Sequence, residues 1–189
     1  MSEPIWIRVS SGKYIDLAAF TPSDVKLSDI VTALSLLKRC NGHYGRLEPL
    51  SVLQHSMLTA DLAALDNAHP ALRYAALVHD AHEAYIGDTT TPIKMLTGFE
   101  EPVHIKCAVR HALGATFSPA VWQAVKRYDY AALEIERKAQ WEPGPGDEKF
   151  WPPSVLGLTG DQALDMHYKY LHMGADHFID KWHHLWMSA

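Results

Sequence analysis

At 189 residues, with 48% hydrophobic and 21% charged side chains, the chain has an ordinary globular composition and enough length for one core-bearing domain. A formal net charge of −5, without a stripe of Lys and Arg, argues against long nucleic acid as a partner. Cys40 and Cys107 are distant thiols in a chain that needs no crosslink, the first residues show no basic-then-apolar leader, and no run approaches the roughly 20 apolar residues that span a bilayer. A cytoplasmic protein without a membrane partner is expected.

Ile5, Ile7 and Val9 alternate with Trp6 and Arg8, Ser10-Ser11-Gly12 reads as a turn, and Tyr14-Ile15 can pair back, so residues 1–20 are expected to form a short N-terminal β-hairpin or extension. Leu27, Ile30, Val31, Leu34 and Leu37 fall on one helix face, which predicts a first helix ending near Lys38. Residues 40–46 are turn-rich, and Ser51 is placed to cap a second helix to Leu65. A third is expected from Pro70 to Ile86, stopped by Gly87, with residues 88–92 as a loop. Helices follow over residues 101–113 and 118–140, the latter opened by Ser118-Pro119. Residues 142–158, broken by Pro and Gly, are expected as a loop on the surface or over a site mouth, and 159–189 as a C-terminal helical segment with one stretch over 160–186. The expected fold is all-α, a compact single-domain helical bundle over 1–189.

Polar residues on apolar faces carry the functional signal, because an unpaired buried charge costs several kcal/mol unless something compensates it. His55 shares a face with Val52, Leu58, Thr59 and Leu62; His79, Asp80 and Glu83 with Leu72 and Ala76; Asp129 with Trp122, Val125, Ala132 and Leu133. One inward histidine is ordinarily a hydrogen-bonded core group. Imidazoles and carboxylates converging from three helices instead call for a shared cation, and two His with two Asp suit a divalent metal such as Mn, Co, Fe, Ni, Zn or Mg with positions left open.

His55, then His79-Asp80, then Asp129 resembles the H…HD…D signature of the HD phosphohydrolase superfamily. The stretch His79-Asp-Ala-His-Glu83-Ala-Tyr-Ile-Gly-Asp88-Thr-Thr-Thr-Pro-Ile-Lys94 is similar to the HDxxE…GDxxTPxK segment of bacterial and phage 5′-deoxynucleotidase-like members, and Ser51-Val-Leu-Gln-His55-Ser to their first-histidine helix. The likeness runs from about Gly12 to Gln140. It implies His55, His79, Asp80 and Asp129 as metal ligands, Glu83 and Asp88 as acid/base and water-orienting groups, and Arg39 as a nucleotide-binding arginine, with Cys40 replacing the family's aromatic neighbour. Arg46 and Lys94 are further phosphate candidates, though each could be a solvated cation.

The resemblance implies hydrolysis of the 5′-phosphate of deoxynucleoside monophosphates, and a dimer or larger assembly. Release of triphosphate from a dNTP is the near alternative, because Arg39, Arg46, Lys94, Arg110 and Lys126 could serve further phosphates. His104 and His111 keep a two-metal oxygenase or cyclic-dinucleotide hydrolase open, although two turns of helix separate them. A non-catalytic nucleotide sensor is the remaining reading. The histidines of the C-terminal segment, His167, His172, His177, His183 and His184, scatter around the helix without a carboxylate pattern and are not assigned to a metal.

Overall fold

A computed structural model describes residues 3–141, 144–145, 149 and 157–189. Strands β1 (Trp6–Arg8) and β2 (Tyr14–Asp16) form the expected hairpin, antiparallel with Ile7 opposite Ile15, and Gly12 supplies the positive φ of its turn. The hairpin is tied to the bundle by Asp29, which accepts hydrogen bonds from the Ser10 hydroxyl at 2.6 Å, the Ser11 amide at 2.7 Å and the Ser11 hydroxyl at 2.9 Å.

The rest is helical: α1 (Leu27–Leu36), α2 (Val52–Leu65), α3 (Pro70–Val78), α4 (Glu83–Ile86), α5 (Thr91–Thr97), α6 (Val103–Ala112), α7 (Pro119–Gln140), α8 (Gly160–Leu171) and α9 (Ala175–Trp186). The fold is therefore all-α and compact, with a short hairpin at its start. Ser51 caps α2 in a reciprocal box with Gln54, and Pro119 opens α7 behind Ser118, as their sequence positions predict. Helices α2, α3 and α7 pack pairwise around a core that includes Leu53, Met57, Leu58, Tyr74, Ala76, Leu77, Val125, Ala132 and Ile135. No helix among the described residues is long and apolar enough to cross a membrane.

Three boundaries differ from the sequence expectation. The helix expected over 70–86 is interrupted after Val78, where Ala81, Glu83 and Tyr85 donate to the carbonyls three residues back rather than four. This tightening carries His79, Asp80 and Glu83. Pro92, expected at the end of a loop, lies in the first turn of α5, where its missing amide costs nothing. The stretch over 160–186 is two helices parted at residues 172–174, with Gly174 opening α9. Of the expected 142–158 loop, residues 142–143, 146–148 and 150–156 lie outside the described residues.

Candidate metal centre and its cavity

His55 sits on α2 with no exposed surface, His79 follows the last turn of α3, Asp80 lies in the tightened segment and Asp129 is halfway along α7. Packing of α2, α3 and α7 brings them together. The His55 Nε2 lies 3.1 Å from Asp129 Oδ1; the His79 Nε2 is 2.9 Å from Asp80 Oδ2 and 3.8 Å from Asp129 Oδ1. Donor atoms of His55, His79 and Asp80 all fall within 4.8 Å of one another. The two imidazole rings are tilted with centroids 5.4 Å apart.

Both rings are held from behind. The His79 Nδ1–H donates to the Ala76 carbonyl at 2.7 Å, and His55 Nδ1 meets Glu136 Oε1 at 2.8 Å. Each Nε2 is thereby aimed at the carboxylates, the arrangement that orients metal-ligating histidines in general. The buried His79 Nε2 has no partner in hydrogen-bond geometry among the described residues, despite its short approach to Asp80. An orphaned imidazole nitrogen facing two carboxylates is the lone-pair geometry that a divalent cation satisfies, so the donor set fits such an ion.

The electrostatics are those of a tightly paired cluster. Burial opposes charge on the Asp80 and Asp129 carboxylates, yet the two histidines hold both well below the usual range. Burial likewise disfavours protonated histidine, but Asp80 and Asp129 raise His79 well above the imidazole range; His55 is raised by Glu136 and Asp129 against burial and Arg39. Glu83 is the exception. Burial, then the neighbouring Asp80 and Asp88, push its carboxyl up to about 10, and its Oε2 is buried without a partner among the described residues. A carboxyl that keeps its proton until a cation arrives can trade protons with a reacting group.

Asp80, Glu83 and Asp129 open onto a cavity of about 1340 Å³, lined also by Arg39, Cys40, Asp88, Thr89, Lys94, Lys106, Arg110, Trp122, Lys126 and Tyr130. Asp88 lies on its wall, its carboxyl raised by burial first and by Asp80, with Arg39 opposing. Arg39 is nearly buried. Its Nε donates to Glu136 Oε2 at 3.1 Å and its Nη1 stands 3.9 Å from Asp80 Oδ2. Cys40 and Asn41, both at positive φ, turn the chain sharply after it, while the Arg39 amide is anchored on the Leu50 carbonyl beside the start of α2.

Lys94 reaches the cavity but is paired with Glu101, which also accepts from Lys106 and lies 2.9 Å from His82 Nε2. Arg46 is placed differently from the other candidates: it is exposed, is not among the described residues lining the cavity, and its guanidinium donates to the Lys138 carbonyl at 3.3 Å. Local chain direction explains this, since the Arg46 amide is pinned to the end of α7 through the Gln140 carbonyl. His104 binds the Leu17 carbonyl at 2.9 Å and His111 is exposed, so neither joins the described lining.

Two acidic residues were missed by sequence reasoning. Glu136, 3% exposed, is seven residues beyond Asp129 on the same face of α7, and that periodicity was the available signal. Burial raises its carboxyl, but Arg39 and His55 outweigh this and hold it below the usual range. Glu101 stands just ahead of α6, where sequence gives no hint of the two lysines and the histidine that meet it.

No protein-family model matches the chain. Its relatives include the uncharacterized protein RCAP_rcc00048 of Rhodobacter capsulatus, 32% identical over 166 residues covering 82% of this chain and 84% of the relative. The uncharacterized protein YfdR of Escherichia coli is 31% identical over 163 residues, covering 85% of this chain and 83% of the relative.

Proposed function

The chain belongs to one family with these Rhodobacter and Escherichia proteins, and we propose that it is a metal-dependent phosphohydrolase of HD type that removes the 5′-phosphate of deoxynucleoside monophosphates. One observation carries the reading: two histidines, each tied back through Nδ1, present Nε2 to Asp80 and Asp129 at the floor of a cavity walled by cations. His55, His79, Asp80 and Asp129 would hold the divalent ion. Such an ion, when bound, supplies Lewis-acid activation of water and of a phosphoryl oxygen.

The chain's own residues divide the remaining work. Arg39 offers its guanidinium to the phosphate beside Asp80, and Lys94 adds a point charge from the rim once it exchanges Glu101 for substrate. Glu83 holds a proton at its buried carboxyl and can give it to the departing 5′ oxygen, after which the carboxylate can take one from water. Asp88, also on the cavity wall, would orient that water. The cavity's volume suits a whole nucleotide rather than a phosphate alone. A second reading, release of triphosphate from a dNTP, is favoured by Lys106, Arg110 and Lys126, which extend the cationic lining beyond the first phosphate.

The test is phosphate and nucleoside release from a panel of dNMPs, NMPs and dNTPs with Mn, Co, Ni, Zn, Fe or Mg, alongside Asp80→Ala and Glu83→Ala. Free phosphate from dNMPs, lost in both variants, is the expected result. Nucleoside plus triphosphate would move the assignment to the second reading, and silence on every substrate would sink both.

A further inference from the structure

Glu136 is a buried carboxylate whose two oxygens are engaged in different halves of the site. Oε1 lies 2.8 Å from the Nδ1 of His55, a ligand of the proposed cation; Oε2 accepts from the Nε of Arg39 at 3.1 Å, the guanidinium proposed to meet the phosphate. Arg39 closes the circuit by standing 3.9 Å from Asp80, a second ligand. Glu136 is 3% exposed, His55 0%, and the Arg39 side chain 13%, so the three are held in place by packing rather than by solvent.

From this geometry we infer that Glu136 is a positioning residue that couples cation binding to anion binding, fixing the hydrogen of His55 on Nδ1 and holding Arg39 for a phosphate with the same carboxylate. The inference rests on the metal-dependent phosphohydrolase reading. Its physical content is reciprocal. A cation on His55 Nε2 pulls the Nδ1–H toward Oε1 and draws charge from Glu136, which loosens the carboxylate's hold on Arg39 and frees guanidinium donors for an incoming anion. An anion on Arg39 leaves Glu136 more available to His55 and makes Nε2 the better ligand. Linkage requires each ligand to change the other's affinity by the same factor. Removing an outer carboxylate behind a ligating histidine ordinarily weakens metal affinity by about 10- to 100-fold.

The experiment titrates the metal-free full-length chain with Mn²⁺, with and without inorganic phosphate, for wild type, Glu136→Gln and Arg39→Gln. The glutamine keeps the shape of Glu136 and removes its charge. Expected are Mn²⁺ binding by wild type that phosphate tightens, a Glu136→Gln variant about 10- to 100-fold weaker for Mn²⁺, and loss of the phosphate effect in both variants. A folded Glu136→Gln chain that binds Mn²⁺ like wild type, with the phosphate effect intact, overturns the coupling while leaving the hydrolase reading standing. A wild type that binds no Mn²⁺ overturns both.

Should Glu136→Gln fail to fold, ¹⁵N NMR of the Zn²⁺-loaded wild type decides. Hydrogen on Nδ1 of His55, protected from exchange, is the expected signature; hydrogen on Nε2, or free exchange at Nδ1, overturns the inference.

Discussion

The Nδ1–H of His79 donates to the carbonyl of Ala76 at 2.7 Å, one turn back along α3, and so commits Nε2 to the side where Asp80 and Asp129 lie. In the metal-free chain that nitrogen competes for a proton. Burial disfavours the charge, but Asp80 and Asp129 hold His79 well above the imidazole range, and Glu136 and Asp129 raise His55. A cation must therefore displace protons, and its affinity rises with pH across the neutral range. Calorimetric titration with Mn²⁺ or Co²⁺ in buffers of different ionisation enthalpy should register proton release at pH 7. An affinity independent of pH between 6 and 8 contradicts it.

Glu83 predicts a trade of stability against turnover. Its carboxyl sits at about 10 in the fold against 4.5 for the ordinary group, with burial the largest cause. Between those values the folded chain keeps a proton that the unfolded chain has released, so stability falls as pH rises through the window. Glu83→Gln removes that cost. The metal-free variant should gain on the order of 1–3 kcal/mol at pH 8, raising Tm by about 2–4 °C per kcal/mol for a chain of this length. Phosphate release should drop by about 10²- to 10⁴-fold. Thermal melts and a turnover assay on one preparation check both halves; an unchanged or lower Tm refutes the first.

The convergence of His55, His79, Asp80 and Asp129 was legible because helical periodicity places them on inward faces regardless of how the helices are arranged. What periodicity does not carry is which inward residues meet across helices. Glu136 has the same signature as Asp129, but its role comes from a contact with His55, 81 positions earlier. Glu101 and Arg46 are tertiary in the same sense, one clasped by Lys94, Lys106 and His82 and the other drawn to the end of α7. The break after Val78 was hidden by a run of helix-forming residues. Pro92 ends the loop expected over residues 88–92, but its fixed φ also starts a helix.

Glu101, on the cavity wall, is expected to contribute to stability in acid. The hydrogen bond with His82 is the largest influence on its carboxyl; burial opposes, Lys106 and Lys94 add to the lowering, and the net displacement is far below the usual range. The unfolded chain then binds a proton at a higher pH than the fold does. The stability contributed by Glu101 is complete above about 4.5 and fades as pH falls through the folded value. With its side chain 17% exposed, Glu101→Gln should cost about 1–3 kcal/mol at pH 7. Urea melts at pH 7 and pH 3 should show the gap between wild type and variant narrowing in acid. A gap that widens there excludes this source of acid sensitivity.

Gly45 fixes the distance between the Arg39 turn and α7, and sequence pattern alone gives only a turn at this point. Its amide donates to the Gln140 side-chain oxygen at 3.2 Å, and the next amide, of Arg46, donates to the Gln140 carbonyl at 2.9 Å. A Cβ at Gly45 would stand 2.1 Å from that carbonyl oxygen and 3.0 Å from Trp141 Cδ1. Backbone cannot yield cheaply, so Gly45→Ala must lift residues 39–46 away from the helix, at about 1–3 kcal/mol. Arg39 moves with them and loses its register with Glu136 and Asp80, which should raise KM several-fold more than it lowers kcat. Gly160→Ala is the control: its Cβ would meet nothing within 4 Å among the described residues, and the change should stay within about 0.5 kcal/mol or stabilise α8 slightly. Equal effects from the two substitutions would show that the contact with Gln140 does not set the position of Arg39.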